Sequence, residues 1–222
     1  NQKTSDYLIR RKIKLETGTP LTAEKLQQLK KEIEGLGLFR RVSIIDNGKQ
    51  ANSQRHDIVI NVEETKSIHV EIGGGFGSLY DEDAVFFKDN VVRSFGLIRH
   101  NNFFGGGESV YMRGGLKRRL TNADLTERSL AVGYREPDIL SSQINGNVEL
   151  LTSLEDEIAF DSDEKQLTLK FDRTFDPGIS AALKYTFEIS RTFNFETSAD
   201  TTEELEENFI LGSVGPVISW DR

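Results

Sequence analysis

The chain has 222 residues, of which 36% are hydrophobic and 29% charged, with a formal net charge of -8. That acidic balance argues against nucleic acid, whose phosphates reward a basic surface, and the absence of cysteine excludes disulfides and thiolate zinc sites. No stretch approaches the ~18 uninterrupted apolar residues of a membrane-spanning helix, but a transmembrane barrel hides its apolar half in alternation and is not excluded.

Asn1 is neither an initiator methionine nor part of a signal peptide, so the chain reads as a mature or excised segment. Thr4 and Ser5 can cap a first helix carrying Leu8, Ile9 and Ile13, with Gly18 and Pro20 ending it. Thr22 caps a second, in which Leu26, Leu29, Ile33 and Leu36 keep to one face and Gly35 and Gly37 supply the stop. A strand over 40–46 follows, then a polar loop, then a second strand in which Ile58, Ile60 and Val62 alternate with Val59 and Asn61. Two strands are marginal cover for two helices, so a further strand is expected before Asn1. Glu63 and Glu64 end the second strand, where a solvated or lumen role is the default.

From Ile68 the pattern changes to repeated strands. Ile68, Val70, Ile72 and Phe76 fall on one parity, and His69, Glu71, Gly73, Gly75 and Gly77 on the other. Further strands are expected over 91–98, of unclear parity, and over 110–116, 130–134 and 144–154. Leu167, Leu169, Phe171 and Phe175 oppose Thr168, Lys170, Asp172 and Thr174. Ile179, Ala181, Leu183, Tyr185, Phe187 and Ile189 oppose Ser180, Lys184, Thr186, Glu188 and Ser190. Asp176, Pro177 and Gly178 between these two runs predict a tight hairpin. The acidic, Ser/Thr-rich stretches 155–164 and 197–208 predict long loops, and a last strand covers 210–220. Arg113, Lys117, Arg118 and Arg119 form a basic run in which Arg113, Lys117 and Arg119 share a face with Tyr111, read as a polar lumen or rim.

These residues resemble a known family. Gly37, Phe39 and Val42 match the Gly-x-Phe step into an RRV-type strand that marks a POTRA (polypeptide-transport-associated) domain. The order GGGFGS, HNNFFGGGES and YREP resembles the opening strands of the BamA/TamA superfamily of outer-membrane barrel proteins. Asn102, Phe103, Gly105 and Gly107 match its Asn-aromatic-x-Gly-x-Gly turn between the second and third strands, and Glu136 with Pro137 its Glu-Pro after the fourth. The final SWDR is similar to the start of the family's aspartate- and arginine-containing motif late in the eighth strand.

The resemblance implies an α+β POTRA module of order β-α-α-β-β, lacking its first strand here, over 1–66. Antiparallel transmembrane β-barrel strands, about eight of sixteen, then occupy 67–222. It implies a bacterial outer membrane with the POTRA domain in the periplasm, an organellar membrane being the other possibility. The partners implied are unfolded outer-membrane or secreted client polypeptides, outer-membrane lipid, and accessory lipoproteins or periplasmic assembly partners, with no nucleic acid.

In such proteins the first barrel strand forms a lateral seam, whose unpaired N–H and C=O groups can template a client strand. Ile68, Val70, Ile72, Gly73, Gly74, Gly75, Phe76 and Gly77 are the residues expected there, the glycines easing separation. The other reading of those glycines is a bend or a close approach in an ordinary barrel. The POTRA edge at Val42, Ser43, Ile44 and Ile45 either accepts a peptide strand or is a plain sheet edge. His56, His69 and His100 stand apart with no HExxH or triad setting, so no catalytic, metal or cofactor site is expected. Barrel assembly is the function expected, with a two-partner-secretion translocation pore, a passive porin-like barrel or a soluble all-β binding protein as alternatives.

Overall fold

The computed structural model describes residues 3–13, 21–46, 57–79, 89–121, 125–156, 161–176, 178–193 and 207–220. They fall into two compact units, Asn1–Ile68 with His100–Ser109, and His69–Arg99 with Val110–Arg222. No helix among the described residues is long and apolar enough to cross a membrane.

The first unit holds α1 (Asp6–Lys12), α2 (Ala23–Glu34), β1 (Phe39–Asp46) and β2 (Ile58–Glu64). Ser5 alone caps α1, its Oγ accepting the Tyr7 N–H at 3.2 Å; Thr4 is engaged elsewhere. Thr22 Oγ1 accepts the Lys25 N–H at 3.3 Å, which satisfies one orphan donor at the start of α2. After α2 the chain passes through Gly37 at φ +69, a left-handed conformation that costs any residue with a Cβ about 1–2 kcal/mol. The reversal delivers Leu38, Phe39 and Val42 to the same core as Leu8, Leu29 and Ile33. Leu36 is half-buried against that core, and Leu26 is half-buried. Gly18 and Pro20 lie outside the described residues.

β1 and β2 pair antiparallel, with Val42 opposite Val62 and Ile44 opposite Ile60 on the core face. Arg41–Glu63, Ser43–Asn61 and Ile45–Val59 are the intervening pairs, which the period of two places on the other face.

The second unit is one eight-stranded sheet. Its strands are β3 (Ile68–Leu79), β4 (Asp89–Asn101), β5 (Ser109–Arg119), β6 (Leu125–Glu136), β7 (Asn145–Asp156), β8 (Asp161–Asp176), β9 (Ile179–Phe193) and β10 (Glu207–Trp220). Each is hydrogen-bonded to its neighbour in sequence order, with β3 at one edge and β10 at the other. From β6 to β10 the pairs are antiparallel.

Register carries the apolar parity unbroken from strand to strand. Val132 lies opposite Leu150, Leu150 opposite Leu167, and Leu167 opposite Phe187. A second row runs Tyr134, Val148, Leu169, Tyr185 and Val214. Between these rows, on the other face, run Glu149, Thr168, Thr186 and Ser213. The apolar face is not packed into an interior, for Leu130, Val132, Leu150, Leu183, Val214 and Ile218 are all exposed.

The strands run 11 to 16 residues, at or beyond the roughly 9–11 that a tilted membrane strand needs. They extend past the apolar alternation because backbone pairing continues through polar residues. The long loop expected over 155–164 is corrected on that ground. Glu155 pairs with Ser162 and Ser153 with Glu164, so only four residues, 157–160, separate β7 from β8. The hairpin after Asp176 forms, with Asp176 opposite Ile179 and Gly178 at φ +101.

Candidate functional site

Among the described residues β3 is bonded to β4 alone, so its other backbone edge is open. Ile68, Val70, Ile72 and Phe76 are exposed along it, Ile72 to 85%. His69 Nε2 and Glu71 Oε1 meet at 2.7 Å on the alternate face.

The four glycines of this strand are in four different settings. The Phe95 ring from β4 lies over Gly73 and occupies the place a Cβ would take. A Cβ on Gly74 would stand 3.2 Å from the Arg93 carbonyl oxygen, and on Gly77 in ordinary contact with Val91. Gly75 has open space, so packing demands a glycine most clearly at Gly73. Phe95 also shows why the parity of β4 was illegible, since apolar side chains occupy both of its faces: Val91 and Phe95 on one, Val92 and Ile98 on the other.

The face of β5 that carries Tyr111 is an ion-pair ladder. Tyr111 Oη donates to Glu149 Oε2 at 2.7 Å, and Arg113 Nη2 to Glu149 Oε1 at 2.8 Å. Lys117 is 3.9 Å from Glu127, and Arg119 is 3.7 Å from Asp156. The basic run is thus answered by carboxylates of this chain. A hollow of about 350 Å³ beside it is lined by Arg93, Phe95, Arg113, Lys117 and Glu127.

In the first unit, Val42 is buried and Ile44 packs on the core, while Ile45 is exposed. Among the described residues β1 pairs with β2 only, leaving its second edge open. Glu63 is exposed and bonded to Arg40. That hydrogen bond, more than the nearby positive charge, holds its carboxyl below the ordinary range despite some desolvation.

Glu64 is not the solvated strand end expected of it. Its carboxylate accepts the Thr4 N–H at 2.7 Å and the Lys3 N–H at 3.5 Å. Burial, the largest single influence, pushes this carboxyl up, but the bonds to Thr4 and Lys3 together hold it below the ordinary value.

Thr4 Oγ1 in turn accepts from Asn102 Nδ2 at 2.8 Å. Asn102, at φ +57, accepts the Gly107 N–H through Oδ1 at 2.9 Å, while the Phe103 N–H donates to the Glu108 carbonyl. Ser5 N–H donates to the Gly105 carbonyl at 2.8 Å, and a Cβ on Gly105 would stand 2.6 Å from the Lys3 carbonyl oxygen. Thr4 and Asn102 are both buried. Sequence reading found the turn motif but not its partners, because Thr4 and Asn102 are 98 residues apart and neither carries an apolar signal.

His100 stands edge-on to Phe103, with ring centroids 5.2 Å apart. His56, Asp221, Arg222 and the acids at 203, 204 and 206 lie outside the described residues. Among the described residues no group of three or more acidic or histidine side chains is placed to hold a metal ion.

The architecture is a POTRA-type unit leading into an eight-stranded sheet whose strands follow one another in sequence order. Residues 1–65 match the POTRA family, described as surface antigen variable number repeat. The whole chain is similar in fold to BamA from Haemophilus ducreyi lacking POTRA domains 1–3. The TM-score is 0.71 at 14% identity, covering 98% of this chain and 41% of that one. It is also similar to CdiB from Acinetobacter baumannii, with a TM-score of 0.62 at 13% identity, covering 96% of this chain and 40% of that one. The chain therefore spans about two fifths of the length of either structure. No curated protein sequence matches it.

Proposed function

We propose that this chain belongs to a bacterial outer-membrane protein that inserts other barrel proteins into the membrane, with its POTRA domain in the periplasm. What supports the reading is a POTRA-type unit running directly into β3, an edge strand among the described residues with Ile68, Val70, Ile72 and Phe76 exposed, in a fold similar to that of BamA. In lipid, an unmatched N–H or C=O costs several kcal/mol, by order of magnitude. A client strand laid along that edge is therefore stabilised by backbone pairing whatever its side chains. The role is non-enzymatic, and the partners are unfolded client chains, lipid and accessory periplasmic or lipoprotein subunits.

Depletion tests this reading. Loss of many outer-membrane barrels at once supports it, and loss of a single solute's uptake overturns it in favour of a passive pore. A second reading, polypeptide translocation of the two-partner-secretion type, draws on the charged face of β5 and its hollow, which suit a wetted conduit. Export of one secreted polypeptide, with outer-membrane barrels at normal levels, selects it.

A further inference from the structure

We infer that Thr4, Glu64 and Asn102 form a latch through which the POTRA domain holds the β4–β5 turn in its working shape. The Asn102 carboxamide accepts from the Gly107 N–H and donates to the Thr4 hydroxyl, and the Thr4 backbone N–H donates to the Glu64 carboxylate. Both bonds meet on Thr4, which is buried together with Asn102, so this one residue ties the turn to the end of β2.

Three further contacts converge on it. Ser5 N–H bonds the Gly105 carbonyl, the Lys3 carbonyl oxygen stands only 2.6 Å from where a Cβ of residue 105 would lie, and Asn101 N–H donates to the Ser67 carbonyl at 2.7 Å. The segment leading into β3 is thus gripped twice, since Thr65 N–H also donates to the Leu38 carbonyl at 2.8 Å. The turn joins β4 to β5 covalently yet packs as part of the first unit. A shift of residues 3–5 or of the end of β2 therefore reaches the turn and the first residue of β3 together. Under the assembly reading, on which this second step rests, the latch sets how firmly the seam strand is held at its Ile68 end.

The test compares Thr4→Val, which keeps the shape and removes the hydroxyl, with Thr4→Ser, which keeps the hydroxyl, in the full chain reconstituted in detergent micelles. Amide hydrogen exchange at Gly107 and Ser5 is expected to quicken roughly tenfold in Thr4→Val, the scale of one buried hydrogen bond. It is expected to stay near the unmodified rate in Thr4→Ser, with the β1–β2 amides unchanged in both. Gly105→Ala, which leaves the hydroxyl in place, is expected to quicken the same two amides. Unchanged exchange at Gly107 in both Thr4→Val and Gly105→Ala overturns the latch, as does equal loosening by valine and serine.

In vesicles, the rate of client insertion is expected to change in Thr4→Val and to be restored in Thr4→Ser. A loosened turn with unaltered insertion overturns the coupling to the seam. If the unmodified protein inserts no client, the assembly reading fails, and the exchange rates still decide the latch.

Discussion

The ring of Phe95 on β4 covers Gly73 on β3, in the place where any Cβ at residue 73 would stand. A flat aromatic laid over a bare backbone shields it and fixes the register of the two strands. Gly73→Val must push the ring aside, an overpacking penalty of about 1–3 kcal/mol. Gly75→Val meets nothing and costs far less. Equilibrium unfolding in detergent separates the two, and Phe95→Ala is expected to relieve most of the Gly73→Val defect.

The outer-membrane reading proposed above makes a paired prediction at neighbouring residues. Leu167 lies in the row of Leu150 and Phe187, and Thr168 in that of Glu149 and Thr186. Leu167→Arg places a charge in hydrocarbon and costs about 2–4 kcal/mol near the midplane. Thr168→Arg is expected to be near neutral. Unfolding from lipid vesicles checks this, and equal penalties for the two would place lipid on neither face.

Acid weakens the first unit through Glu64. Its carboxyl titrates below the ordinary value of 4.5 in the folded chain. A depressed folded value contributes stability that is fully present above the unfolded value and disappears as pH falls through the folded one. Exchange at the Thr4 and Ser5 amides is therefore expected to quicken below about pH 4.5. Glu64→Gln should flatten that pH dependence, and a profile unaltered by the substitution would assign the acid loss to other carboxylates.

Ile33 is fully buried where α2 meets Leu8 and Phe39. Ile33→Ala removes most of that side chain and is expected to destabilise the first unit by about 2–5 kcal/mol. Proteolysis is expected to cut near α2 in the variant while the β6–β9 strands stay resistant.

Sequence alone determined the elements whose residues contact their near neighbours or a single face. The α2 stripe, the Gly37 stop and the alternation of β8 and β9 were all legible, because period and turn chemistry are written within a dozen residues. The turn motif at Asn102 was visible too, but only as a motif. Tertiary structure decided what distant residues do for one another. Glu64 became the acceptor for Thr4, Phe95 the cover of Gly73, and Glu155, Ser162 and Glu164 members of paired strands. Each depends on hydrogen bonding or close approach across a long gap, where polar side chains and glycines carry no periodic signal, so only the folded chain could bring the partners into view.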